Sequence, residues 1–170
     1  MLLGVIYFFA PLKTNLKGEL YILKGIEIRD SVSNVFAYLG NLENAKIWSV
    51  YIDHIRLISG EDGKTNCKRR CFKNNDENGI QWDEEIVEVV QNEKRILSIY
   101  NGKNFPIFSD NLSTEQLYIN KGTKTELCLI LTLKGNQSFM EKFKFKLASF
   151  IVGNVFEGNL KNIKKEIEKQ

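Results

Sequence analysis

The residues able to do chemistry in this chain are few, and the most suggestive of them lie on one segment, Gln81-Trp82-Asp83-Glu84-Glu85-Ile86-Val87-Glu88. The period-two alternation of a strand puts Trp82, Glu84, Ile86 and Glu88 on one face and Gln81, Asp83 and Glu85 on the other. If Trp82 points inward then Glu84 does too, unless a bulge intervenes. A carboxylate in an apolar cavity has a raised pKa and can orient a ligand or move a proton. The plainer alternative is an edge or bulged strand with Glu84 in water.

His54 is the single histidine, near the start of the strand-rich region and on the same face as Ile52 and Ile58. It is a candidate cavity donor or base, set against a surface or structural role, and no partner for it can be read from the sequence. Tyr100 joins Glu84 and His54 as a third candidate acid/base group. Arg69 and Arg70 occupy opposite faces of one strand, so one of them can face a cavity and pair with Glu84 or an acidic ligand, while solvated charge is the ordinary reading. Cys67 and Cys71 share a strand face roughly 13 Å apart, too far for a disulfide. With Cys128 they read as small buried hydrophobes, and no metal site is assigned.

These groups need walls around them. Trp48, Tyr51, Trp82, Tyr100, Phe105, Phe108 and Tyr118 are the aromatics expected near a cavity wall or mouth, with Phe143, Leu147 and Phe150 facing it from a C-terminal helix. The connection over 102–111 presents Phe105 and Phe108 on a long loop and could act as a gate. Alternatively these rings fill the core and leave no open space.

Composition narrows the classes. The chain has 170 residues, 43% hydrophobic and 26% charged, which fits one globular domain and excludes a disordered or collagen-like chain. A net charge of +3, without a basic run interleaved with aromatics, gives no footprint for nucleic acid. Three cysteines fit a reducing compartment better than a disulfide scaffold, so a cytoplasmic location is expected. Residues 1–12 are almost wholly apolar, but a spanning helix needs about 20 such residues. No basic stretch precedes the run and no cleavage site follows it, against a secretory signal. Three readings remain for 1–12: the end of a membrane anchor, a membrane-surface or hydrophobic docking segment, or a piece that packs on the domain. Residues 1–18 are therefore set apart from a domain over 19–170.

Within 19–170, period-two alternation predicts strands at 20–28, 51–59, 65–73, 80–90, 94–101, 112–120 and 123–133. Asp30 or Ser31 caps a short helix at 32–39, and a second follows at 43–48. Tight polar turns between the later strands favour antiparallel hairpins. From Ser138 the period becomes helical, with Phe139, Phe143, Leu147, Phe150, Val155, Leu160, Ile163 and Ile167 on one broad apolar side. Gly153 and Gly158 could let that helix bend or let another backbone approach closely. The result is an α+β class: about seven antiparallel strands curled around one long C-terminal helix, burying both apolar faces. Residues 134–170 carry eight Lys and four Glu, which suits either an anionic membrane surface or a solvated helix face.

That order of elements, with these residues, resembles the SRPBCC superfamily, the helix-grip fold of START-like lipid-transfer domains, Bet v 1-like proteins and polyketide cyclases. The matching residues are Ile26-Glu27-Ile28 and Val35-Phe36-Ala37-Tyr38-Leu39, then Asn41-Leu42-Glu43-Asn44 with Trp48. Gly79-Ile80-Gln81-Trp82 runs into Glu84-Glu85-Ile86-Val87-Glu88, followed by Gly122-Thr123-Lys124-Thr125-Glu126-Leu127 and Leu160-Lys161-Asn162-Ile163-Lys164-Lys165-Glu166. The resemblance implies a cavity between sheet and long helix that takes a lipid, sterol, quinone or polyketide-like molecule. It also supports the anchor reading of 1–12, since bacterial relatives often carry an apolar segment there. It implies no cofactor and carries over no catalytic residue. Three roles stand open: a carrier or sensor of a hydrophobic small molecule, a cyclase or aromatase using Glu84 with Tyr100 or His54, and a ligand-free interaction domain.

Overall fold

A computed structural model describes residues 12–105 and 111–169. Strands β1 (Lys13–Thr14) and β2 (Leu20–Ile28) lead into helices α1 (Val32–Gly40) and α2 (Leu42–Trp48). Six strands follow: β3 (His54–Ser59), β4 (Lys68–Phe72), β5 (Gln81–Val90), β6 (Lys94–Lys103), β7 (Leu112–Asn120) and β8 (Thr125–Leu133). Helix α3 (Phe139–Ile167) closes the chain. All eight strands form one antiparallel sheet in the order β1-β2-β8-β7-β6-β5-β4-β3. The sequence reading of about seven strands misses β1, whose two residues are too short to show alternation. Leu12 packs on the core just ahead of it. Residues 1–11, most of the apolar run, lie outside the described residues, and no described helix is long and apolar enough to cross a membrane.

The caps explain where the helices begin. Ser31 Oγ accepts the Asn34 amide hydrogen at 3.2 Å, and Asn41 Oδ1 accepts that of Glu43 at 2.9 Å. Helix α3 starts in a capping box, with Ser138 Oγ accepting from Glu141 N and Glu141 Oε2 accepting from Ser138 N. Its 29 residues lie along β2: Lys164 Nζ donates to the Glu27 carbonyl, and Glu168 Oε1 accepts from Arg29 N.

The apolar stripe of α3 differs from the one read in the sequence. Phe145, Ser149, Gly153, Phe156, Asn159, Leu160, Ile163 and Ile167 are the buried positions, spaced mainly by three and four residues. The predicted stripe joined Phe150 to Val155 and Val155 to Leu160 by five-residue steps, and each such step turns a helix by roughly 140° beyond a full turn. Its first members consequently face elsewhere: Phe139 is exposed, and Phe143, Leu147 and Phe150 are only half-buried.

Candidate functional site

Between the sheet and the N-terminal and middle turns of α3 lies a cavity of about 240 Å³. Alternation builds its floor strand by strand. Arg69 of β4, Trp82 and Glu84 of β5, and Leu97 and Ile99 of β6 face it. Leu112, Thr114 and Gln116 of β7 continue the same face, as do Leu129 and Leu131 of β8. Phe145, Ala148, Val152, Val155 and Phe156 form the roof, with Asn159 at its inner end and Ile151 at the outer rim. Trp48, Tyr51 and Ile52 close one side.

That side is fastened to α3. Asn159 Oδ1 accepts the Val50 amide hydrogen at 2.8 Å, and Asn162 Nδ2 donates to the Trp48 carbonyl at 3.1 Å. Gly158 lets Val50 approach closely: a Cβ there would sit 3.0 Å from Val50 Cγ1. At the mouth, Phe105 meets Trp82 edge-on at 5.6 Å, and Tyr51 lies 5.9 Å from Trp82.

The polar groups of the floor follow from register. Arg69 is the cross-strand partner of Glu84, and Arg70 that of Asp83, so the inner and outer faces each hold an ion pair. On the inner face, Glu84 Oε2 accepts from Arg69 Nε at 2.8 Å and Nη2 at 2.7 Å, while Oε1 accepts from Trp82 Nε1 at 2.9 Å. Burial acts against the Arg69 charge, yet the adjacent Glu84 carboxylate holds its pKa above the ordinary arginine value. Glu84 is thus buried rather than solvated, with both oxygens occupied: it anchors Arg69 and Trp82. On the outer face, Arg70 grips Asp83 at 2.7 and 2.9 Å and Asn101 Nδ2 adds a third bond, so the Asp83 pKa is lowered, chiefly by Arg70.

Of the residues singled out in the sequence, Trp48, Tyr51, Trp82, Glu84 and Phe105 come together on the cavity wall. Phe108 lies outside the described residues, and so does half of the connection read as a gate. Tyr100 does not face the cavity, because its register partner is Asp83 on the outer face while Ile99 points in. His54 does not either. It stacks on Phe72 at 4.5 Å, with Nδ1 3.2 Å from Asp53 Oδ2 and Nε2 3.5 Å from Glu77 Oε1, in a half-buried cluster outside the cavity. The trio of Glu84 with Tyr100 or His54 is therefore not assembled on one pocket. Tyr118 is buried behind the wall, edge-on to Phe36 at 5.0 Å, and Phe143, Leu147 and Phe150 lose their places to Phe145, Ala148 and Val152 for the helical-phase reason given above.

Sequence reasoning missed Thr114, Gln116 and Asn159, which are polar and leave no mark on an apolar pattern. Gln116 is 5% exposed; its Oε1 accepts from Arg95 Nη1 at 2.9 Å and from the Tyr118 hydroxyl at 2.7 Å. The three cysteines are free and buried, and among the described residues no cluster of His, Cys, Asp and Glu is placed to hold a metal ion.

Several solved structures share this arrangement of an antiparallel sheet wrapped on one long helix. TTHA0849 from Thermus thermophilus superimposes with a TM-score of 0.67 at 15% identity, over 88% of this chain and 97% of that one. The Zhui aromatase/cyclase from Streptomyces sp. R1128 gives 0.66 at 12% identity, over 88% and 93%. Ara h 8.0201 gives 0.64 at 12% identity, over 90% and 100%. The chain has the helix-grip fold. This is the SRPBCC-type architecture that the resemblance implied, and at such identities the likeness is one of fold alone. No family model matches the chain, and no curated protein matches it in sequence.

Proposed function

We propose that this helix-grip protein binds a small, largely apolar molecule in the cavity between its sheet and α3, as a carrier or sensor of that molecule. One observation carries the reading: the space beside α3 is open, and aliphatic and aromatic side chains from four strands and the helix line it around a few fixed polar groups. Such a cavity desolvates an apolar ligand while the polar groups set its orientation. The proteins of similar fold include an aromatase/cyclase, but the acid/base trio considered for that chemistry is not gathered here, and this favours binding over catalysis. Free, buried thiols suit a reducing compartment. Contact with a membrane through 1–12 belongs to the proposal, and the lysines of α3 would suit an anionic membrane surface.

Native mass spectrometry of the purified protein, followed by solvent extraction and identification of what is released, tests the reading. A stoichiometric apolar adduct is the expected result. An empty protein that also takes up none of a panel of apolar probes would contradict it.

A further inference from the structure

The hydrogen bonds around the cavity leave an imbalance between donors and acceptors. Consider first the side-chain oxygens that can only accept. Glu84 Oε1 receives Trp82 Nε1, and Glu84 Oε2 receives Arg69 Nε and Nη2. Gln116 Oε1 receives Arg95 and Tyr118, and Asn159 Oδ1 receives Val50 N. Every one of them is engaged within the protein. These bonds also fix how the two amides are turned. Arg95 and the Val50 amide can only donate, so the atoms facing them must be oxygens, and each NH₂ group falls on the other side of its amide.

The donors are left over. Trp48 Nε1 is buried and has no hydrogen-bond partner. Gln116 Nε2, Asn159 Nδ2 and Arg69 Nη1 form no hydrogen bond among the described residues, although Trp48, Gln116, Asn159 and Arg69 all line the cavity and all are at least nine-tenths buried. A donor closed off without an acceptor is costly, as at Trp48 Nε1, and three further unengaged donors around the same space favour an occupant that accepts. Charge works in the same direction. Arg69 is matched by Glu84, but buried Arg95 has no carboxylate partner among the described residues. It rests over the Phe36 ring at 4.4 Å and bonds Gln116, whose amide it polarises toward stronger donation.

We infer that the ligand of this cavity is an apolar molecule bearing at least one acceptor oxygen, a carbonyl or a carboxylate, and that the cavity discriminates against plain hydrocarbons and against amines. The inference rests on the cavity being a ligand site, and it adds the chemistry that the site selects. An oxygen held by Gln116 Nε2 with Trp48 Nε1 or Arg69 Nη1 satisfies donors that a hydrocarbon leaves unmet. An amine brings a further donor, and at neutral pH a positive charge, into a wall that already presents both.

A series on one carbon framework separates these cases: fluorene, 9-fluorenone, fluorene-9-carboxylate and 9-aminofluorene, titrated by calorimetry against the full chain. Fluorenone, the carboxylate or both should bind at least roughly tenfold tighter than fluorene, with the amine weakest. Whichever of the two oxygen compounds is tighter tells a carbonyl ligand from an anionic one. Gln116→Glu replaces the NH₂ donor with an acceptor oxygen while keeping an oxygen for Arg95 and Tyr118, so it should bring the fluorenone-to-fluorene ratio close to one. Equal binding of fluorene and both oxygen compounds by the wild type, or a preference for the amine, would overturn the inference and leave the cavity reading intact. Binding of none of the four would overturn the cavity reading itself, and the inference with it.

Discussion

The two halves of α3 cross the same sheet with different consequences. Toward its C-terminus, Leu160, Ile163 and Ile167 are buried in one core with Ile22, Ile28, Val35 and Leu127, and the helix is held by Lys164 on the Glu27 carbonyl and by Glu168 on Arg29 N. Toward its N-terminus, Phe145, Ala148 and Val152 look across a cavity at Arg69, Glu84 and Gln116. The packed half sits over β2 and β8, whose inner faces are mostly aliphatic. The open half spans β4 to β8, and its polar side chains on β4, β5 and β7 bond one another instead of reaching the helix. Close packing at one end is thus what allows the other end to stay open, since the helix position does not depend on filling the cavity. Stability and binding should therefore respond to different substitutions.

The largest effect is expected at the buried ion pair of the cavity floor, which holds the open half's own wall together. Glu84→Leu leaves Arg69 without a counter-charge and should lower unfolding stability by about 3–5 kcal/mol in urea denaturation, with the double change Arg69→Leu/Glu84→Leu recovering much of the loss. In the packed half, Ile163→Ala removes a side chain with no exposure and should cost about 2–4 kcal/mol by the same measurement. In the open half, Ala148→Phe fills space rather than creating it. It should change stability by less than about 1 kcal/mol while removing uptake of apolar probes, and a large loss of stability there would blur the contrast between the halves. At the start of α3, Ser138→Ala loses the capping box and should cost roughly 1 kcal/mol.

Acid adds a smaller contribution. The Asp83 pKa is depressed in the folded state, chiefly by Arg70, so its stabilisation is complete above the ordinary carboxylate value of roughly 4 and is lost as pH falls through the lower folded value. Asp83→Asn should flatten the fall in stability with pH in that acid window, as followed by denaturation at a series of pH values. An unchanged slope would show that other carboxylates dominate it.

Much of this architecture was legible because strands advertise themselves. Thr125, Leu127, Leu129, Leu131 and Leu133 alternate cleanly, and so does the pairing of Trp82 with Glu84 on one face of β5. Within the site, that alternation reached Trp82 and Glu84 and left Arg69 as one of two candidates, which register then decided. Other positions carried conflicting signals. In β6, Ile96 and Tyr100 form an apolar set on one face and Leu97 and Ile99 on the other, so the sequence does not say which pair looks inward. In α3 the buried stripe passes through Ser149, Gly153 and Asn159, residues that an apolar count skips, while exposed Phe139 draws the eye to the wrong phase. Gln116 was invisible for a related reason. Its role comes from Arg95 and Tyr118 behind it, a tertiary arrangement that no local spacing encodes.

The chain holds two tryptophans, Trp48 and Trp82, and both line the cavity. Their fluorescence is therefore the most direct report on the central claim, that the open half of α3 covers a ligand site. Titration with 9-fluorenone should give saturable quenching at one ligand per chain in the wild type and none in the folded Ala148→Phe variant. Equal quenching of both proteins, or none in the wild type, would contradict the account.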